Sequence, residues 1–155
     1  MDKQETIDTA LSYFDEGYAC SQSILLTFAG RFGLNDLTAK RIASTFGGGM
    51  GRLRQTCGAL TGGFMVLGLA YGNERPDDMK TKLEAYRKVR ELYHQVEGIY
   101  GTGNCGELLQ KFATQAQVED RKHHQIICRQ VVENLAGLVF EMLKQENPLY
   151  DKSTF

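Results

Sequence analysis

The chain is poor in the features that would divide it or send it elsewhere. Only two prolines occur, Pro76 and Pro148, and there is no low-complexity segment, internal repeat or Ser/Gly linker. Nothing therefore splits the 155 residues into separate domains, and that length suits one domain of ordinary size. Charge of one sign is also lacking. Eighteen Lys and Arg face 19 Asp and Glu, a formal net charge of -1, where a general nucleic-acid binder would carry a basic excess. Long apolar runs are missing too. The longest, Phe64 to Tyr71, is interrupted by Gly68 and falls far short of the roughly 20 residues of a membrane helix. The opening MDKQETIDTA has no basic-then-apolar pattern. These absences lead to the expectation of a soluble, cytoplasmic protein with no membrane insertion and no nucleic-acid partner. No stretch alternates at period two, so strands are not expected. No cysteine pair has the CxxC spacing of a zinc ribbon or thioredoxin-like site, and the closely spaced ferredoxin pattern is absent.

What is present is helical periodicity. Ile7, Ala10, Leu11 and Phe14 mark a first helix over Lys3–Glu16, closed by Gly17. Ile24, Leu25, Phe28 and Ala29 mark a second, with Cys20 at or just inside its first turn. A third runs from Leu37 to Thr45, capped by Asn35 or Asp36, and Gly47, Gly48 and Gly49 end it. A fourth starts between Leu53 and Cys57 and reaches Tyr71. It is apolar nearly all round, and Gly58 and Gly62, like Ala59 and Gly63, make small-residue faces, so it is expected at the centre. Asp77 and Asp78 open a fifth helix ending near Gly98, with Leu83, Tyr86, Val89, Arg90, Tyr93 and Val96 as its inner stripe and Glu84–Lys88 as an ordinary surface pair. Asn104 caps a short sixth helix beginning at Cys105. A last helix spans about Val118 to Gln145, and Asn147-Pro148 stops it. The reading is all-α: a single domain over 1–147, a bundle of about six or seven helices around a central glycine-rich apolar helix, and a tail over 148–155.

The chemistry concentrates in FGGGMGRLRQTCGALTGGFMVLGLAYG, residues 46–72. This reads as a strained glycine loop opening into a buried helix, with Cys57 at the mouth. Three of the four cysteines, Cys20, Cys57 and Cys105, fall at predicted helix N-termini. Unpaired N–H groups and the positive end of the macrodipole stabilise a thiolate there. Arg52 and Arg54 add positive charge beside Cys57, and an anionic substrate would bind them together with Gly58 and Gly62. Cys57 is therefore expected to be the low-pKa thiolate. The bland alternative is that free cysteines pack as small hydrophobes. That reading leads for Cys128, which lies in mid-helix. His124 and Cys128 are four residues apart, but His123 and His124 read best as helix surface, and His94 as an ordinary helix residue. GGGMG lacks the lysine and hydroxyl of a phosphate loop, which argues against nucleotide binding.

Cys57-Gly58-Ala59-Leu60-Thr61-Gly62 matches a CGAxxG motif. On that motif, on YACSQSIL around Cys20, on the glycine block, on NCGELL around Cys105 and on Cys128 in the C-terminal helix, the chain resembles the C_GCAxxG_C_C family of redox-active proteins with four cysteines. The family's third cysteine is commonly followed by arginine, as CRELLG; here Gly106 and Gln110 stand instead. The resemblance implies a helical thiol redox protein in which Cys128 joins Cys20, Cys57 and Cys105 in one site. Cys57 would attack and one of the other three would resolve, forming a reversible disulfide with no cofactor. If the protein is an enzyme, it is a thiol-dependent oxidoreductase. The alternative is a module holding a metal or iron–sulfur centre on the same four cysteines, and the second alternative a structural protein whose cysteines are core. Expected partners are a redox partner or small molecule, and self-association is compatible with the glycine faces.

Overall fold

The computed structural model of the protein describes residues 1–113 and 120–144, without the side chains of 112, 113 and 120–124. The predicted tail, the stop at Asn147-Pro148, the start of the last helix at Val118, its end at Gln145 and the His123/His124 pair lie outside the described residues or side chains. Among the described residues are seven longer α-helices, α1 Lys3–Asp15, α2 Cys20–Ala29, α3 Asp36–Ser44, α4 Gly58–Tyr71, α5 Met79–Tyr100, α6 Cys105–Ala113 and α7 Asp120–Leu143, with a 3-10 turn at Gly30–Phe32 and a short, largely left-handed turn at Gly47–Met50. Among the described residues there is no strand, only one isolated antiparallel bridge between Thr56 and Asn104. The fold is all-α, as expected, and among the described residues no helix is long and apolar enough to cross a membrane.

Local chemistry sets the helix starts. Asp2 caps α1 with a capping box, accepting from the Glu5 N–H while the Glu5 carboxylate accepts from its own, both at 2.8 Å. Asn35 rather than Asp36 caps α3, its Oδ1 accepting from Thr38 N–H at 2.8 Å. Asp78 caps α5. Asp77 instead pairs with Arg75 at 2.8 Å on the surface.

Helix α4 is central, packed against α2, α5 and α7. Its glycines allow this. A Cβ at Gly62 would lie 2.8 Å from Ser21 O and 3.1 Å from Ile24 Cβ, so α2 rests on bare backbone. Gly63 plays the same part toward Leu92 of α5 and Val139 of α7. Around this contact Ile24, Leu25, Phe28, Leu60, Leu67, Leu92, Leu135 and Met142 are fully buried. A second, smaller cluster holds Cys105, Leu109 and Ile127, with Cys128 packed against it.

Helix α5 departs from expectation in three ways. It runs through Gly98 to Tyr100 and closes at Gly101, whose φ of 79° needs a glycine, whereas Gly98 stays helical. Its buried face is Lys88, Leu92, Val96 and Tyr100, while Leu83 and Tyr86 are exposed. Lys88 is buried rather than part of a solvated face. Glu84 binds Arg87 at 2.6 Å, and the Lys88 amine turns inward over the Tyr71 ring at 5.2 Å. Of the predicted stripe, Val96 is buried and Val89 and Tyr93 pack half-buried against the core, whereas Leu83, Tyr86 and Arg90 are exposed.

The two kinds of glycine in α4 separate in a stability measurement. Gly62→Ala should destabilise by about 1–3 kcal/mol because backbone must move. Gly68→Ala, which meets nothing within 4 Å, should stabilise by about 0.5–1 kcal/mol. Urea unfolding of both variants checks this; equal effects would contradict the packing account.

Candidate functional site

Three helix mouths converge. Cys20 is the first residue of α2, Cys57 the N-cap residue of α4 and Cys105 the first residue of α6. Opposite them, mid-helix in α7, stands Cys128. All four sulfur residues line one cavity of about 60 Å³, together with Gly48, Gly58, Arg54 and the apolar side chains of Leu108, Leu109, Ile127 and Val131. Cys57 and Cys105 are buried, and Cys20 and Cys128 are half-buried. All four are free thiols in this state.

Two backbone devices hold the mouths together. In the first, residues 54–57 run antiparallel against 103–106. Cys57 N–H donates to Gly103 O at 2.9 Å, and Cys105 N–H donates to Gln55 O at 2.6 Å. This ties Cys57 and Cys105 into one short ladder although 48 residues separate them (105 − 57). The second device is a left-handed turn. Gly48, Gly49, Met50, Gly51, Arg52 and Arg54 all have φ between 59° and 69°. The three non-glycine residues cost about 1–2 kcal/mol each in that conformation. The strained loop predicted here is thus present. It begins after α3 has already ended, and it positions Arg54.

Glycine is required at two of these positions for space. A Cβ at Gly49 would stand 2.6 Å from Cys105 Cβ and 2.7 Å from Gln55 N. A Cβ at Gly58 would overlap the Cys20 sulfur. The Cys57-Gly58 pair therefore brings the sulfur of α2 directly over the first turn of α4. Gly62, predicted as part of the site, faces Ser21 and Ile24 and does not line the cavity.

Electrostatics correct one expectation. Cys57 is not the low-pKa thiol: burial pushes it well up, the Cys20 sulfur pushes it further, and the N–H groups of Leu60 and Ala59 offset only part of this. Those N–H groups make no capping hydrogen bond to the sulfur. Burial likewise raises Cys20, against the pull of the Gly48 and Ser21 N–H groups, and pushes Cys128 up to about 12. The helix-mouth dipole is present but loses to desolvation. Nor do the arginines flank Cys57. Arg54 Nη1 donates to Cys105 Sγ at 3.7 Å. Arg52 is exposed, with its Cγ against Gly48, and lies outside the cavity lining. The Arg54 stem also packs on Gly106, whose Cβ would lie 3.2 Å from Arg54 Cβ. Where an arginine after the third cysteine is missing, a guanidinium still reaches that sulfur, from the glycine turn.

Field effects run from Cys20 to Cys57 and Cys128, and from Cys105 to Cys20 and Cys128, so the sulfurs sense one another across the cavity. Yet among the described residues no three or more His, Cys, Asp or Glu side chains are grouped so as to hold a metal ion. The four thiols share a cavity without forming a ready ligand set.

A helical protein with four cysteines at one cavity is a thiol-cluster protein by construction. The chain belongs to the C_GCAxxG_C_C family, described as "Putative redox-active protein (C_GCAxxG_C_C)", which matches residues 18–142. That span contains all four cysteines and the glycine turn. No curated protein and no solved structure gives a significant match.

The raised thiols carry a pH prediction. A neutral thiol is favoured in the fold, whereas an unfolded chain ionises near pH 8.5. The stability these groups contribute is complete below that value and is lost as pH rises toward about 12 for Cys128. Urea unfolding of the reduced protein should therefore show stability falling above about pH 8.5, with a shallower fall in Cys128→Ala. Parallel curves would contradict the assignment.

Proposed function

We propose that the protein is a dithiol redox protein that stores two electrons on the cysteines of this cavity and releases them by forming a disulfide. One observation carries the reading: four cysteines dispersed from position 20 to position 128 line a single small cavity. A chain using cysteine only as a small hydrophobe has no reason to gather all of them at one place.

Cys105 is the attacking sulfur, because the Arg54 guanidinium stands beside it to balance negative charge. Cys57 is the buried reserve thiol. Cys20 and Cys128, half-buried and close enough to feel the other sulfurs, are the resolving candidates. In exchange with a disulfide R–S–S–R′, the Cys105 thiolate forms a mixed disulfide and expels R′S⁻. A second cysteine thiolate then attacks Cys105 and expels RS⁻. Two electrons leave the chain, two thiol protons are released, and one internal disulfide remains. The reducing environment such a dithiol needs fits the cytoplasm. The protein would act there with a redox partner or small molecule, as a thiol-dependent oxidoreductase or an electron carrier.

The test is thiol counting with mass spectrometry. Mild oxidation of the reduced protein by oxidised glutathione should remove two of the four free thiols and give an internal disulfide that includes Cys105. Cys105→Ser should abolish it. Four thiols surviving unchanged would refute the proposal. Stoichiometric metal in protein purified without oxygen would transfer the same residues to the metal-binding reading.

A further inference from the structure

The cavity also restricts what can oxidise it. At about 60 Å³ it has room for a few waters, since one water needs roughly 10–15 Å³. Cys57 and Cys105 are 7% and 8% exposed, so a small oxidant reaches the Cys105 sulfur faster than a bulky disulfide does. Among the described lining residues there is no carboxylate, and one positive group, Arg54. The rest of the wall is apolar or thiol. Such a site accepts a small, neutral oxidant that becomes an oxyanion as it reacts, with a guanidinium already in place for that charge.

We propose that the oxidant of this site is a small hydroperoxide, hydrogen peroxide being the simplest, attacked by Cys105 with Arg54 stabilising the departing oxygen. The assignment rests on the dithiol reading above and names its substrate class. The Cys105 thiolate attacks the terminal oxygen of R–O–O–H. The S–O bond forms, the O–O bond breaks and RO⁻ leaves beside the Arg54 guanidinium, to be protonated by water. Sulfur loses two electrons and the peroxide gains them. Cys128, packed against the same small cluster as Cys105, then attacks the sulfenic sulfur. The S–S bond forms, and hydroxide leaves and takes up the proton released by the Cys128 thiol, as water. The sum is one hydroperoxide and two thiols giving one disulfide, one alcohol or water, and one further water.

The surroundings of Cys105 suit this step. Its place at the head of α6 is fixed by the Gln55 carbonyl and by the Asn104 cap, which accepts from Glu107 N–H at 2.9 Å. Gly49 lies where any side chain would strike its Cβ. The guanidinium is held by a residue in the left-handed region, φ 59°, so its direction is set by the turn.

The experiment compares oxidants on the reduced full-length chain without oxygen, following thiol loss and trapping sulfenic acid with dimedone. Hydrogen peroxide should oxidise two thiols about 10²-fold faster than it oxidises free cysteine at the same pH. The bulky cumene hydroperoxide should be much slower. Cys128→Ser should accumulate dimedone-reactive Cys105 in place of the disulfide. Arg54→Met should slow the peroxide reaction by about 10²-fold, and Arg54→Lys should recover part of the loss, with circular dichroism confirming the fold of both. A peroxide rate no greater than that of free cysteine, or one unchanged in both Arg54 variants, overturns the proposal. If oxidised glutathione forms the internal disulfide while peroxide reacts only at the free-cysteine rate, this inference falls and the dithiol reading stands. If neither oxidant forms a disulfide, both fall.

Discussion

The constraint on which the site depends is the close approach of backbone to backbone around α4. Helix α2 lies directly on Gly58 and Gly62, where any Cβ would strike the Cys20 sulfur or the Ser21 carbonyl. Close approach carries the mouth of α2 to the mouth of α4. Without it Cys20 and Cys57 would lie on separate surfaces. The third mouth is brought in differently, by the ladder between residues 54–57 and 103–106, which fixes Cys105 relative to Cys57 through main-chain hydrogen bonds. Cysteine geometry is thus set by main-chain hydrogen bonds and by bare glycine backbone.

The fold carries opposing electrostatic effects at the same place. Helix mouths favour thiolate; an apolar cavity with few polar neighbours opposes it. At Cys57 and Cys20 the cavity wins, and these sulfurs are held as neutral thiols at ordinary pH. The proposed dithiol chemistry benefits from that division. Four mutually repelling thiolates in so small a space would destabilise the fold, so most of the sulfurs must stay protonated until they react. A single guanidinium then has its effect where it makes contact, at Cys105.

Much of this was legible in the sequence. Apolar periodicity together with capping residues and glycines located the helices α1 to α7, because these signals are local to the sequence. The cap Asn104 and the choice of Asn35 or Asp36 were readable from residue type, as was the centrality of α4, while Asp78, read as a first-turn residue, proves to be the cap of α5. The convergence of dispersed cysteines was legible through helix-mouth placement and the CGAxxG motif. Other features were hidden for physical reasons. The inner face of α5 was read only in part, at Val89, Tyr93 and Val96, because Lys88 buries its stem and leaves its charge on an aromatic ring, which hydrophobic periodicity does not register. The ladder at Thr56 and Asn104 is too short for any alternation to show. The direction of the Cys57 shift depends on how many atoms surround the sulfur, a quantity that exists only once the chain is folded. Arg54 looked like a partner of Cys57 because three residues separate them. The left-handed turn sends its guanidinium to a cysteine 51 positions away instead.

That turn also explains why strain is tolerated where it occurs. Left-handed residues other than glycine are disfavoured wherever an alternative exists, and here Met50, Arg52 and Arg54 adopt that conformation within five positions. A right-handed continuation of α3 would satisfy the same residues locally. It would carry Arg54 away from Cys105 and remove the Gly48 N–H from the Cys20 sulfur, whose charge that group favours. The hydrogen bonds from Arg54 N–H to Gly48 O and from Gln55 N–H to Gly49 O, at 3.2 and 3.0 Å, close the turn on itself, and Cys105 N–H on Gln55 O locks it to α6. The unfavourable angles are therefore overdetermined by main-chain bonds on both sides. Within the turn, Arg54 aims its cation at Cys105 and Gly48 its amide at Cys20. Strain maintained in this way, at the wall of a cavity lined by four thiols, is what a site built to control sulfur reactivity requires, and a turn serving only to connect two helices would have no need of it.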